Sequence, residues 1–485
     1  MVRKSIKINV VLNILKSLLS VVFPLITYPY ATRVLGVENI GKVNYGASII
    51  TYFSLIAAFG ITSYAIREGA KVRDNKKEIN ELSSELFSLN IVTTLFSYSL
   101  LFVLLVFVHE LEDYRLLIML QSLTILFTTF GVDWINTIFE DYLYITLRGV
   151  FTNILTVIAL FVFVKTKDDL YVYALLTVVT NAVICVWNYF YCKKYIRLHF
   201  VIGKQYKKHL KNMAVFFINA VAVSIYVSAD TTMLGWMVGD RSVGIYSVAV
   251  KIYSIMKLVL AAIYSVALPR LSYYASQKNF NYYKSLITKV TSSILIILLP
   301  SVMGIFVLSE EIVLVIGGDG FVDASNTLSI LSIALIFAIL GGIVTQCINI
   351  SLGYEKINVR ATILSAVENI VLNVLFIKLW HENGAAITTA ISEFTVLIYC
   401  IIKNPRSLEM LYKRKLIRNF IHSILGMVIV FVIAILVHQV VSSVWITLVG
   451  TSMLSVLLYG LLLLILKNEL ACDVINKFLT ILKFR

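Results

Sequence analysis

The sequence predicts an all-α polytopic membrane protein of about fourteen transmembrane helices, and three observations predict it. Of 485 residues, 59% are hydrophobic and only 14% charged, with a mean hydropathy of +0.88; a soluble chain carries about a quarter charged residues. Apolar runs of about 20 residues recur from end to end, each long enough at about 1.5 Å per residue to cross a hydrocarbon core of roughly 30 Å. Lys and Arg alternate between the connecting segments as the positive-inside rule requires. A disordered chain, a collagen-like fibre and a disulfide scaffold are excluded by the same composition, with 22 Gly, 5 Pro and 5 Cys spread over the whole length. A membrane barrel is excluded because the runs are continuous Leu, Ile and Val without an alternation of period two.

In chain order the apolar runs cover residues 8–30, 45–66, 86–108, 115–139, 145–164, 170–191, 213–237, 243–266, 287–308, 325–350, 360–379, 385–402, 419–438 and 444–466. With the N-terminus inside, the inner segments hold 32 of the 42 Lys and Arg residues against 7 in the outer loops. That asymmetry predicts a cytoplasmic membrane protein with both termini in the cytoplasm. The first run has a basic start (Arg3, Lys4, Lys7) but lacks a small-x-small cleavage site and contains Pro24 and Pro29. It reads as a retained, kinked first helix rather than a signal peptide.

A net charge of +15 would suggest nucleic acid in a soluble protein. Here the charge is mostly a cytoplasmic collar, and the stretch from Lys193 to Lys211, seven basic residues without an acid, predicts contact with anionic phospholipid and no nucleic-acid partner. Cys185, Cys192, Cys347, Cys400 and Cys472 are odd in number and show no CxxC or Cys/His spacing, so neither disulfides nor structural zinc are expected. The chain has no Walker loop, HExxH or GxSxG, which removes the residues for an ATP-driven pump or the common membrane hydrolases. Gly317, Gly318 and Gly320 read as an outer turn.

Leu35, Gly36, Gly41, Tyr45 and Tyr52 find counterparts about 200 residues later in Leu234, Gly235, Gly244, Tyr246 and Tyr253. An even number of helices separates the copies, so they would be parallel repeats related by an axis along the membrane normal. The expected organisation is an N-terminal six-helix lobe over 1–200, a second over 201–402, and two additional helices with a cytoplasmic tail over 403–485.

The segment Tyr28-Pro29-Tyr30-Ala31-Thr32-Arg33-Val34-Leu35-Gly36-Val37-Glu38-Asn39-Ile40-Gly41 resembles the first inter-helix segment of polysaccharide repeat-unit flippases, whose pattern is P-Y-x-x-R-x-L-G-x-x-x-x-G. Phe59-Gly60-Ile61 with Arg67, and Asp230 followed by Gly244, Tyr246 and Lys251, are similar to the same family. That family, the O-antigen and capsule type, belongs to the multidrug/oligosaccharidyl-lipid/polysaccharide exporter superfamily. The resemblance implies a flippase that carries an undecaprenyl-diphosphate-linked oligosaccharide across the membrane by alternating access, without bond chemistry and therefore not as an enzyme. A polymerase of the same pathway is an implied partner.

Charged residues inside hydrocarbon need a partner, a watery cavity or an altered protonation state. Seven are read within spans: Lys16, Asp133, Asp230, Lys251, Lys257, Glu368 and Glu393. Lys16 shares one helix face with Asn9, Asn13 and Ser20, which serves a cavity, helix–helix hydrogen bonding or snorkelling. Arg33, at the outer end of that helix, serves either substrate or an interfacial anchor. Asp230 and Lys251 fall at matched depth, so they form a structural ion pair or divide between a cation and an anionic substrate. Lys257, with Tyr253 one turn before it and no acid expected opposite, reads as a cavity cation for the diphosphate. Glu368 and Glu393 are read near mid-depth with no base at hand, as neutral packing groups or cation ligands, and Asn369 and Asn373 add oxygens near Glu368. In the related lipid II flippases a sodium site lies on helices seven, eleven and twelve, which implies Asp230, Glu368, Asn369 and Glu393 as a coupling region for sodium or protons. Asp133, close to Glu140 and Asp141, reads as interfacial. No cofactor is expected.

Two other functions remain open at this stage. A cation-coupled multidrug antiporter would have an acid-dominated cavity. A membrane glycosyltransferase or polymerase would need a large outer loop with catalytic residues.

Overall fold

Backbone polar groups in lipid have no water to bond, so spanning segments pair them within the segment, and the long apolar runs become helices. The computed structural model describes residues 6–201 and 206–473, with side chains from residue 22 onward except those of Asn219 and Tyr226. No strand occurs among the described residues. Packing divides the chain into two compact units, residues 1–244 and 245–485.

The first unit contains α1 (Ile6–Ala58), α2 (Ile61–Val72), α3 (Lys76–Phe107), α4 (Arg115–Gly131), α5 (Trp134–Ile138), α6 (Tyr142–Phe163), α7 (Leu170–Cys192) and α8 (Tyr206–Met237). Next comes α9 (Asp240–Ser265), which carries the division at Gly244. The second unit continues with α10 (Leu268–Ser276), α11 (Phe280–Val307), α12 (Ser309–Ile316), α13 (Ala324–Gly342), α14 (Glu355–Lys403), α15 (Arg406–Glu409), α16 (Lys413–Val440) and α17 (Val444–Ile465).

Eleven described helices are long and apolar enough to cross a membrane, or twelve if the bent pair Tyr206–Ile225 and Val227–Met237 is one span. The two longest helices are interrupted. α1 leaves helical geometry at Gly36 (φ 78°), and α14 does so at Trp380 and at His381 (φ 49°, ψ −127°). The expected kink at the first-helix prolines is displaced: helical dihedrals run through Pro24 and Pro29, and the break falls at Gly36, where a positive φ suits glycine. Near Pro29, Arg33 Nη1 and Thr32 Oγ1 also donate to the Pro29 carbonyl at 2.8 and 3.1 Å.

The internal repeat is visible in the architecture. A positive-φ glycine precedes the second helix of each copy, Gly36 (φ 78°) and Gly239 (φ 120°), so the counterpart of Gly36 is Gly239 rather than Gly235. A short amphipathic helix follows each second helix. α2 buries Ile61, Tyr64, Ala65 and Gly69 along one face, and α10 buries Leu271. Within the first unit the copies also meet reciprocally: a β-carbon on Gly41 would overlap the Asp240 carbonyl, and one on Gly244 would overlap the Val37 carbonyl. Asp240 and Gly244 stand 203 residues after Val37 and Gly41, so each copy presents the same turn to the other.

All five cysteines are free, and four of them are buried. In α13 the regular helix gives way to a π-helical stretch over Ile343–Ile350, an element that requires local compensation. Three asparagines, of which Asn349 and Asn404 are buried, provide it: Asn349 Nδ2 donates to Asn358 Oδ1 at 2.7 Å, Asn404 Nδ2 to Asn349 Oδ1 at 2.8 Å, and Asn358 Nδ2 to the Thr345 carbonyl at 2.9 Å.

Candidate substrate and coupling site

In the second unit α9 places Tyr246, Tyr253 and Lys257 along one stripe, at helical positions i, i+7 and i+11. The second half of α14 places Thr389 and Glu393 one turn apart. The two stripes meet rung by rung. Tyr246 Oη and Thr389 Oγ1 are 3.2 Å apart, Tyr253 Oη donates to Glu393 Oε1 at 2.9 Å, and Lys257 Nζ lies 2.5 Å from the same oxygen. The Lys257 ammonium also stands 5.5 Å from the centroid of the Tyr253 ring, a favourable cation–π distance.

This corrects two sequence expectations at once. Lys257 does have an acid opposite it, and Glu393 does have a base at hand. The reason is azimuth: depth along a helix can be counted from sequence, whereas the direction a side chain takes around the axis is set by packing. The pair is asymmetric in exposure, with the Glu393 side chain 8% accessible and that of Lys257 34%. The carboxylate is the fixed, buried member and the ammonium the accessible one.

A second polar set lies along α14. Its halves fold back on one another at His381, and a β-carbon on Gly384 would overlap the Phe376 carbonyl, so the hairpin closes with backbone in contact. Asn373 Nδ2 donates to Asn369 Oδ1 at 3.1 Å, Thr388 Oγ1 donates to Asn373 Oδ1 at 2.5 Å, and Ser365 Oγ donates to the Ser392 carbonyl at 3.0 Å. Beside them Glu368 Oε2 is buried with no hydrogen-bond partner among the described residues.

The other expected residues are distributed as follows. Lys251 is half-buried on α9 in the second unit, and Asp230 is buried at 3% on α8 in the first. Arg33 is exposed and holds the Pro29 carbonyl. Asn13 and Lys16 have side chains outside the described residues. Among the described residues no three His, Cys, Asp or Glu side chains converge as a metal site would.

Arg148 is the residue that sequence reasoning missed. It lies within the fifth apolar run and was counted with the basic collar, yet it is buried at 4% and forks onto Asp133, with Nη1 2.8 Å from Oδ1 and Nη2 3.0 Å from Oδ2. Tyr144, one turn before it, puts its ring 5.3 Å from the guanidinium. Asp133 is therefore held by a bidentate ion pair.

Residues 6–275 match the family model described as "Polysaccharide biosynthesis protein", which is more than half of the chain. The chain belongs to the polysaccharide biosynthesis protein family. Residues 216–375 also match the MatE model. Among relatives of this family member, the "Putative O-antigen transporter" of Escherichia coli (strain K12) is 23% identical over 396 residues, 79% of this chain and 94% of that protein. The "Capsular polysaccharide biosynthesis protein CapF" of Staphylococcus aureus is 26% identical over 377 residues, 74% of this chain and 89% of that one. In fold, the chain superimposes on the lipid II flippase MurJ in an inward closed conformation with a TM-score of 0.76 at 16% identity, covering 96% of this chain and 99% of that one. The polysaccharide biosynthesis protein is thus a multi-pass membrane transporter of the superfamily to which its Tyr28–Gly41 segment points, not an enzyme.

Proposed function

We propose that this polysaccharide biosynthesis protein moves an oligosaccharide repeat unit, linked to undecaprenyl diphosphate, from the inner to the outer leaflet of the cytoplasmic membrane by alternating access, with both termini in the cytoplasm. Such cargo has three parts: a dianionic linker, a polyhydroxylated glycan and a polyprenyl chain that stays in lipid. The observation that carries the reading is the Lys257–Glu393 pair, a cation whose charge is balanced when empty and whose ammonium is still accessible. An arriving diphosphate competes with Glu393 for Lys257 without the protein having to bury an unpaired charge beforehand. An acid-dominated cavity, as an antiporter of cationic drugs requires, would not present its accessible charge as a lysine.

The second unit also has an apolar groove of about 260 Å³ bordered by Met256, Pro300, Gly304, Ile305, Leu448 and Val456. Its lining supports a hydrocarbon occupant, and Met256 is the chain neighbour of Lys257. Lys16, Asn13, Arg33, Lys251 and Tyr253 complete the proposed substrate contacts.

For coupling we propose sodium or protons at Glu368, Asn369 and Glu393 of the second unit, supported by the unpartnered Glu368 Oε2 and the amide–hydroxyl chain beside it, and at Asp230 of the first unit taken by itself. Anionic phospholipid at Lys193–Lys211 and a polymerase of the same pathway are the proposed partners. The experiment is glycan export in cells: Lys257→Ala should abolish it at unchanged membrane abundance and Lys257→Arg should retain part. Parental export by Lys257→Ala would sink the role of this lysine.

A further inference from the structure

The first unit contains a cavity of about 190 Å³ that the transport reading does not use, walled by the end of α1, the starts of α2 and α5, and by α3, α4 and α7. We propose that it is a sugar-binding subsite that takes one neutral pyranose of the transported glycan, an inference that rests on the flippase reading above. By liquid volume the cavity has room for about six waters, the scale of a single ring with its hydroxyls.

Its charge balance selects the ligand class. Asp133 lines the cavity with its side chain 57% accessible, while its counter-ion Arg148 is 5% accessible and lies behind it. A carboxylate already neutralised by a buried guanidinium attracts neither a cation nor an anion strongly. Each oxygen accepts one N–H of Arg148, which leaves acceptor capacity for hydroxyls in the cavity that the residue lines. Around it stand Asn181, Thr62, Thr128 and Ser54, which supply both donors and acceptors, and Phe127 and Trp134, which supply ring surface. A fixed carboxylate, an amide, hydroxyls and an aromatic flank suit a polyhydroxylated ring with apolar C–H faces.

The backbone has been bent to present these groups. Val132, a β-branched residue, has φ 44° between α4 and α5, a conformation that persists only where the surroundings fix it. Asn188 fixes it by donating to the Gly131 carbonyl and accepting from Asn136 Nδ2. The result of that bend is the position of Asp133 at the cavity wall.

The test uses the detergent-purified full chain and saturation-transfer NMR with methyl glycosides of the common hexoses and N-acetylhexosamines. The wild type should transfer saturation to at least one of them, and Asn181→Leu and Thr62→Val should each weaken that glycoside at least tenfold without loss of thermal stability. Asp133→Asn should do the same; because it leaves Arg148 without its counter-ion, Asn181→Leu carries the test if that variant does not fold. Unchanged binding in Asn181→Leu, or displacement of the glycoside by tetraphenylphosphonium, would overturn the subsite. A wild type that moves lipid-linked glycan in vesicles but binds no glycoside would overturn the subsite and spare the flippase reading. One that binds glycoside at Asn181 but moves no lipid-linked glycan would spare the subsite and sink that reading.

Discussion

Lys257 Nζ lies 2.5 Å from Glu393 Oε1, joining α9 to the second half of α14 across 136 residues of sequence, and Tyr253 donates to the same oxygen. Removing one member of a fully buried pair costs roughly 3–5 kcal/mol; with Lys257 partly accessible, about 1–3 kcal/mol is expected here. Glu393→Leu should therefore lower the melting temperature of the purified protein, and Lys257→Met combined with Glu393→Leu should recover most of the loss. Export should fail in both. A double variant as unstable as the single one would show that the two charges do not depend on each other.

The reciprocal crossing at Gly41 and Gly244 leaves no space for a β-carbon against the facing backbone carbonyls. Gly41→Ala and Gly244→Ala should each reduce export strongly, while Gly149→Ala, at a position with nothing within 4 Å of a β-carbon, should not. Equal export from all three would remove the crossing from the transport cycle.

The asparagine chain beside the π-helical stretch is buried, with Asn349 fully inaccessible and Asn404 at 3%. Asn349→Leu removes the partner of the buried Asn404 amide, at about 1–3 kcal/mol for an unsatisfied buried group. Thermal unfolding should register a loss larger than that of Asn39→Leu, where the amide bonds lie at the surface.

How much was legible in the sequence follows from which physical quantity each feature depends on. Spans depend on transfer free energy summed along the chain, and the apolar runs and basic collar therefore located the helices, including the separation of 360–379 from 385–402 at the polar cluster His381-Glu382-Asn383-Gly384. The repeat was legible in Gly41 and Gly244 because only glycine allows that approach, but its register at the chain break was misread as Gly235, since a positive φ at Gly239 leaves no mark in composition. Partners across helices were not legible. The Lys257–Glu393 pair needs the rotation of two helices about their axes, and Arg148 looked like collar because its depth differs from an interfacial residue by only a turn or two. The π-helical stretch at Ile343–Ile350 has no proline or glycine inside it to announce it.

Four residues beyond α17, Glu469 accepts from Arg418 Nη2 at 3.0 Å and from Lys415 Nζ at 3.1 Å. These hydrogen bonds hold its carboxyl below the usual carboxylate range. A depressed folded-state value means the stabilisation is present above the unfolded value, near pH 4.3, and is lost as pH falls through the folded one. The carboxylate is 57% accessible, so the contribution is below about 1 kcal/mol and salt-screened. Glu469→Gln should lower stability slightly at neutral pH in low salt, and the difference from wild type should vanish in acid and in high salt.

Orientation is tested by labelling single cysteines in a cysteine-free background. A membrane-impermeant maleimide applied to whole cells should reach a cysteine replacing Asp319 and not one replacing Lys207. The reverse pattern would invert both the faces and the proposed direction of transport.

The central claim is tested most directly in vesicles. The purified chain, reconstituted with an undecaprenyl-diphosphate-linked oligosaccharide confined to the inner leaflet, should make the glycan accessible to an external lectin. Lys257→Ala should not. Lectin access at the rate of protein-free vesicles, under sodium and proton gradients of either direction, would contradict the account.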